Sequence, residues 1–401
     1  MRYNFDEIID RKGTNAMNTD GFRDYIFHAG PDMKFPYADD EFIRMWVADM
    51  EFATPEVIID AIRDRLSRRI FGYTKVFDPA YYEAFADWCR DLYGWMPEKE
   101  HLVTSPGVIP ALYELVEYMV KKDEKVLILT PSYAYFKHAA DRNGVELVAS
   151  PLLNRAGYYS IDFEDFEQKA KDPKVTLCIF CNPHNPTGRV WREEELRRAG
   201  EICLSNGVRV ISDEIHCDLL RSDKHHIPMA KLFPGEKNLI TCMSPSKTFN
   251  MAGFMFANVL IPDPELRAQW KERHYDMENP LSIVAAQAAY EKGGDWLRAL
   301  RTYLDANFAF VGEYLTVHLP KAVYRVSEAT YLAWVDIGAY VDKKENLPLL
   351  FANEAGVLLE GGDMFVANSD GFIRLNLACP RSVLTEGLRR ICELLNKRVK
   401  G

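Results

Sequence analysis

The chain has 401 residues, 48% hydrophobic and 27% charged, so it can bury a large core with no need of disulfide or metal staples. This composition excludes collagen, a coiled-coil rod and a disordered tail. Its 49 Lys and Arg against 59 Asp and Glu give a net charge of −10, which argues against a nucleic-acid partner and leaves local basic patches suited to small anions.

The N-terminal run Met1-Arg2-Tyr3-Asn4-Phe5-Asp6-Glu7 is too charged for a signal peptide and has no apolar h-region. No apolar run approaches the roughly 18 residues of a membrane helix. The expectation is a cytoplasmic protein with no membrane partner. Thr54-Pro55 predicts a helix start, with Thr54 as N-cap and apolar residues from Val57 to Leu66 at helical spacing. Asp78-Pro79 predicts a second helix. Strand-like runs follow at Val126–Thr130, Val145–Ala149, Val175–Phe180, Val208–Ser212 and Ala257–Ile261. Helical stretches at Tyr133–Arg142 and Glu193–Ser205 close on Asn143-Gly144 and Asn206-Gly207. The alternation predicts an α/β fold whose sheet is mostly parallel, with helices on both faces. From about Leu281 the pattern turns helical. It alternates again through Tyr331–Asp336, Leu347–Glu354 and Phe372–Leu377, and Ser382 caps a last helix. This tail reads as a smaller α+β domain.

Eight cysteines are scattered through mostly apolar runs. Cys178 and Cys181 form a C-x-x-C, but no second pair completes a zinc site. The eight read as buried reduced thiols, and no metal is expected.

Ligands of open α/β sheets bind beyond the carboxyl ends of the strands. Three such ends carry polar motifs. They are Asn182-Pro183-His184-Asn185-Pro186-Thr187-Gly188, Asp213-Glu214-Ile215-His216, and Ser244-Pro245-Ser246-Lys247-Thr248. The order of these motifs resembles the fold-type I enzymes that depend on pyridoxal 5′-phosphate (PLP), the aspartate aminotransferase superfamily. Met45-Trp46-Val47-Ala48-Asp49-Met50, Phe71-Gly72-Tyr73-Thr74, Ser105-Pro106-Gly107-Val108 and Ile373-Arg374-Leu375-Asn376 narrow the resemblance to the MalY/PatB-type cystathionine beta-lyase (C–S lyase) family. The resemblance runs from about Met45 to Arg381.

The resemblance implies PLP as cofactor and an L-amino acid as substrate. Lys247 matches the lysine that carries the cofactor covalently and shuttles the Cα proton. Asp213 resembles the partner of the pyridinium nitrogen. Asn185 matches the donor to the cofactor's phenolic oxygen and touches substrate, and His216 stands where related transaminases use a tyrosine. Gly107, Val108 and Ile109 match the phosphate cradle at a helix N-terminus. Ser244 and Ser246 resemble side-chain phosphate ligands, and Tyr133 the aromatic that stacks on the ring. Arg374 resembles the clamp for the substrate α-carboxylate, with Ala48 a further substrate contact. Asn182 and His184 read as loop formers. Tyr73 resembles a tyrosine delivered to the phosphate across a dimer interface, which implies a homodimer with shared sites. Many aminotransferases place an arginine eight residues after the lysine; here that position is Met255, as in the lyase branch. The implied reaction is α,β-elimination from L-cystathionine or another S-substituted cysteine, giving a thiol, pyruvate and ammonia, with aminotransferase activity as the alternative. The implied organisation is an N-terminal segment (1–45) packing with the small domain, a large PLP-binding domain (46–285) and a small C-terminal domain (286–401). Residues near Tyr37, Trp46, Tyr331 and Glu360–Phe365 are expected to set the substrate side chain.

Overall fold

The computed structural model describes residues 3–274 and 277–399. Seven strands build the main sheet: β1 (Leu102–Ser105), β2 (Lys125–Thr130), β3 (Glu146–Pro151), β4 (Val175–Cys181), β5 (Arg209–Asp213), β6 (Leu239–Met243) and β7 (Ala257–Leu260). Their order across the sheet is β1-β7-β6-β5-β4-β2-β3; β7 pairs antiparallel with β1 and β6, and every other pair is parallel.

Strands apolar at every position need cover on both faces. Alternation along β2 provides it. Val126 and Ile128 join a core with Leu112, Leu115 and Phe136 on one face, while Leu127 and Leu129 join Phe166, Phe180 and Leu196 on the other. Each such leucine contributes about 1.5–3 kcal/mol on burial.

Asp78 caps the helix Pro79–Tyr93 by accepting from the Ala80 N–H, as its sequence predicts. Two helix starts differ from expectation. The first predicted helix spans Glu56–Ser67 with Pro55 as N-cap, and the Thr54 hydroxyl donates instead to the Asn250 carbonyl at 3.0 Å. The last helix, Arg381–Val399, starts one residue before Ser382. A long-range tie outcompetes the local cap at Thr54.

A second, antiparallel sheet holds β8 (Val323–Tyr324), β9 (Leu332–Asp336), β10 (Glu360–Gly361) and β11 (Phe372–Asn376), in the order β8-β9-β11-β10. Ile43–Arg44 pairs in parallel with Val357–Leu358, and Phe22, Ile26, Phe42 and Trp46 pack on Ala352 and Leu358. The N-terminal segment thus pairs with the strand Val357–Leu358 and packs on the helix Leu347–Glu354. All eight cysteines are free and buried, and no helix among the described residues is long and apolar enough to cross a membrane.

Candidate active site

The parallel register brings the strand ends level: Cys181 of β4 sits beside Asp213 of β5, and Asp213 beside Cys242 of β6. The loops that follow therefore open at one edge of the sheet. A cavity of about 190 Å³ lies there. Gly107, Val108 and Ile109 line it from the start of the helix Val108–Met119, and Tyr133 from the short strand Ser132–Tyr133 just past β2. Asn185, Asp213, His216, Ser246 and Lys247 line it from the three motif loops, and Ala48 closes it opposite.

Gly107 has φ +145°, a conformation that L residues rarely adopt, and a Cβ there would meet Pro110 Cδ at 3.3 Å. The glycine lets the chain turn straight from β1 into a helix whose first N–H groups face the cavity with the positive end of the helix dipole. Lys247 rides on the short helix Pro245–Thr248. Ser244 caps that helix by accepting the Ser246 N–H at 3.1 Å, and its own hydroxyl donates to the Phe256 carbonyl at 2.7 Å. Thr248 donates to Asp218 Oδ2 at 2.8 Å, and Trp88 donates to the other carboxylate oxygen at 3.1 Å. Tyr93 also donates to Asp218. Three neutral donors thus pin the carboxylate that anchors the residue beside Lys247.

Lys247 Nζ donates to the Ala48 carbonyl at 2.7 Å, and the Tyr331 hydroxyl donates to the same oxygen at 2.7 Å. Burial lowers the Lys247 pKa, favouring the neutral amine. Burial raises the Asp213 carboxyl to about 7, opposed by a hydrogen bond from the Ile215 N–H. His216 is buried, its Nδ1 has no partner, and burial with the Lys247 and Arg374 charges lowers it to about 3. It is a neutral imidazole with an unused ring nitrogen. Arg374, on β11, donates from Nη1 to Asn185 Oδ1 at 3.2 Å and pairs with Glu360 through Nη2.

Ten of the residues named from the sequence line one cavity. Three stand outside it. Ser244 sits behind Ser246 as a helix cap. Arg374 lies one layer deeper, behind Asn185. Tyr73 is 95% exposed and reaches no part of this chain's cavity. His184 and Asn182 bond within and beside their loop, to Thr187 Oγ1 at 2.8 Å and the Ile227 carbonyl at 3.0 Å. Tyr37 points elsewhere, to the Glu354 carbonyl at 3.3 Å.

Residues not assigned a role from the sequence organise the segment that carries Ala48. Asn376 donates to the carbonyls of Val47 at 2.7 Å and Asp49 at 2.5 Å. Asn250 bonds both the N–H and the carbonyl of Met50 at 2.9 Å. Arg11 pairs with Asp49 at 2.7 Å and with Glu51 at 3.1 Å. Asn376 lies inside the motif that carries Arg374, and Asn250 follows the Lys247 motif by two residues; proximity to those motifs was the available signal.

The family model for aminotransferases of class I and II matches residues 40–391. The chain belongs to that family. Within it, the full length aligns with C–S lyases. Cystathionine beta-lyase PatB of Bacillus subtilis is 38% identical over 97% of this chain and 98% of its own. Protein MalY of Escherichia coli is 30% identical, covering 96% of this chain and 97% of its own. Among solved structures, the PLP-bound C–S lyase from Staphylococcus hominis superposes with a TM-score of 0.93 at 51% identity, covering 98% of both chains. These relatives place the chain in the cystathionine beta-lyase branch of the family.

Proposed function

We infer that the chain is a PLP-dependent carbon–sulfur lyase that cleaves L-cystathionine or related S-substituted cysteines into a thiol, pyruvate and ammonia. The observation that carries this reading is the half-buried Lys247 in a cavity that also presents a buried carboxylate and a helix N-terminus, in a chain that aligns end to end with C–S lyases. The cavity's donor set fits the cofactor. Free helix N–H groups and the Ser246 hydroxyl suit a phosphate dianion, the Asp213 carboxylate suits a ring N–H, and the orphaned His216 nitrogen with Asn185 suits a ring oxygen.

When bound, PLP supplies an aldehyde that captures the substrate amine and a ring that withdraws electrons from Cα. Gly107, Val108, Ile109 and Ser246 would hold its phosphate, and Tyr133 would lie against its ring. Asp213 would keep the proton on the ring nitrogen. Arg374 would take the substrate α-carboxylate, with Asn185 and Ala48 beside it. Lys247 would take the Cα proton; the β-carbon–sulfur bond would break with its electron pair leaving on the thiol sulfur, and one water would be consumed in releasing pyruvate and ammonia.

Incubation with L-cystathionine and no keto acid should release pyruvate and free thiol. A strict requirement for a keto acid acceptor would instead make the chain an aminotransferase.

The active form we propose is a homodimer. Ile70, Phe71, Tyr73 and Phe77 expose apolar surface along one short segment, with Tyr73 at 95% and Phe77 at 83%. A second copy covering that strip would bring its Tyr73 to this chain's phosphate end, where Met255 stands at the cavity wall. The division we propose remains 1–45, 46–285 and 286–401, with residues 1, 2, 275, 276, 400 and 401 outside the described ones. Position 285 falls within the helix Pro280–Lys292. Eight reduced thiols support a cytoplasmic location.

A further inference from the structure

Arg374 meets a carboxylate of its own chain before any substrate arrives. β10 and β11 pair antiparallel with Glu360 directly opposite Arg374, so both side chains leave the sheet on one face. Glu360 accepts from Arg374 Nη2 in a close ion pair, and both residues are buried. Nη1 donates to Asn185 Oδ1 at 3.2 Å and Nη2 reaches the Trp46 carbonyl at 3.4 Å, while the buried Nε has no partner. The guanidinium charge is therefore already balanced, yet one of its donors is unused.

A substrate α-carboxylate would bring a second negative charge to the same guanidinium. Two carboxylates sharing one buried cation drive one of them to take a proton. The groups that face Glu360 are Arg374 from β11, Lys247 from its short helix, Tyr25 from the N-terminal helix Phe22–Phe27, and Tyr133 just past β2. Burial raises both tyrosines, which stay neutral. Burial also raises the Glu360 carboxyl, against the pull of Arg374 and Lys247. Of the two carboxylates on Arg374, Glu360 is the one held permanently away from water.

We propose that Glu360 is an internal competitor for the substrate α-carboxylate: it occupies Arg374 in the substrate-free chain and yields it, protonated, when an amino acid docks. Glu360 thereby sets how tightly carboxylates bind and how that binding depends on pH. The inference rests on Arg374 being the carboxylate clamp.

The probe is 3-(methylthio)propionate, which carries a carboxylate and a thioether but no amine to react with the cofactor. It is titrated calorimetrically into the holoenzyme, in buffers of different ionisation enthalpy. The wild type should take up about one proton per probe bound, and its Kd should weaken as pH rises. Glu360→Gln keeps a neutral acceptor on Arg374; proton uptake should vanish and the probe should bind roughly tenfold tighter at about pH 8. Absence of proton uptake in the wild type, or a Glu360→Gln affinity that is unchanged or weaker, overturns the proposal and leaves Glu360 as an orienting partner of Arg374. Should Glu360→Gln fail to fold, the wild-type proton count decides alone. Arg374→Ala separates the two levels. Unchanged probe binding there removes the clamp itself, whereas lost binding with no wild-type proton uptake keeps the clamp and removes the competitor.

Discussion

The cavity's two walls differ in how they are assembled. The large-sheet wall takes Asn185, Asp213 and Lys247 from the ends of adjacent strands, each a residue or a few beyond a buried apolar run. The facing side presents Ala48 at the cavity, with Tyr331, Glu360 and Arg374 a layer behind, and its crossing segment is tied by side-chain bonds to backbone such as those of Asn376 and Asn250. The first wall is placed by sheet register, which slips only at the cost of turning a whole strand inside out. The second is placed by individual hydrogen bonds and one buried ion pair, each replaceable and each tunable. The large-sheet wall should therefore govern whether chemistry occurs, and the facing wall which molecule binds and at what pH.

Substitutions test that division, beginning with the largest effect. Lys247→Ala should lower kcat for pyruvate release by about a thousandfold or more and abolish the visible absorbance of lysine-bound cofactor. Retained turnover would break the assignment of the first wall. Asp213→Asn should cost about a hundredfold in kcat. It should also change the pH dependence of the cofactor-free chain. Asp213 titrates near about 7 when folded against 3.8 as the ordinary value. The folded state thus binds more protons between these limits. This contribution to stability is complete below 3.8 and is lost as pH rises through about 7. Denaturant midpoints for Asp213→Asn should lose that slope.

Arg374→Ala, on the second wall, should raise KM for S-substituted cysteines about ten- to a hundredfold, from the loss of a charge-assisted pair, while kcat falls less. A loss confined to kcat would erase the distinction between the walls. Tyr73→Phe is the mildest change. It should weaken PLP binding about three- to tenfold, read by equilibrium dialysis, and leave the dimer intact in sedimentation. The effect sharpens the comparison, since it comes from neither wall of the same chain.

The main strands, most helices and the positions lining the large-sheet wall were legible because each depends on local pattern. Apolar runs of strand length ended in polar motifs, and Gly107 marked a turn that L residues rarely adopt. The Thr54 cap was misplaced because a carbonyl from a distant loop, Asn250, competes for its hydroxyl. The cap that Ser244 forms over the Ser246 N–H, and its tie to the Phe256 carbonyl, lay outside the sequence pattern because Phe256 reaches it only through the fold. Arg374 could be named from its motif, but its partner could not, because Glu360 becomes its neighbour only through the β10–β11 register.

By itself the sequence determined the α/β class, the order of the polar strand ends and the identities of the groups they carry, since these follow from residue periodicity and motif spacing along the chain. Only the tertiary structure decided that Lys247 and Tyr331 share the Ala48 carbonyl, that Asp213 is buried enough to hold a proton near neutrality, and that Arg374 is already paired with Glu360. Burial and long-range pairing are properties of the folded whole, and the electrostatics of a site are set by both.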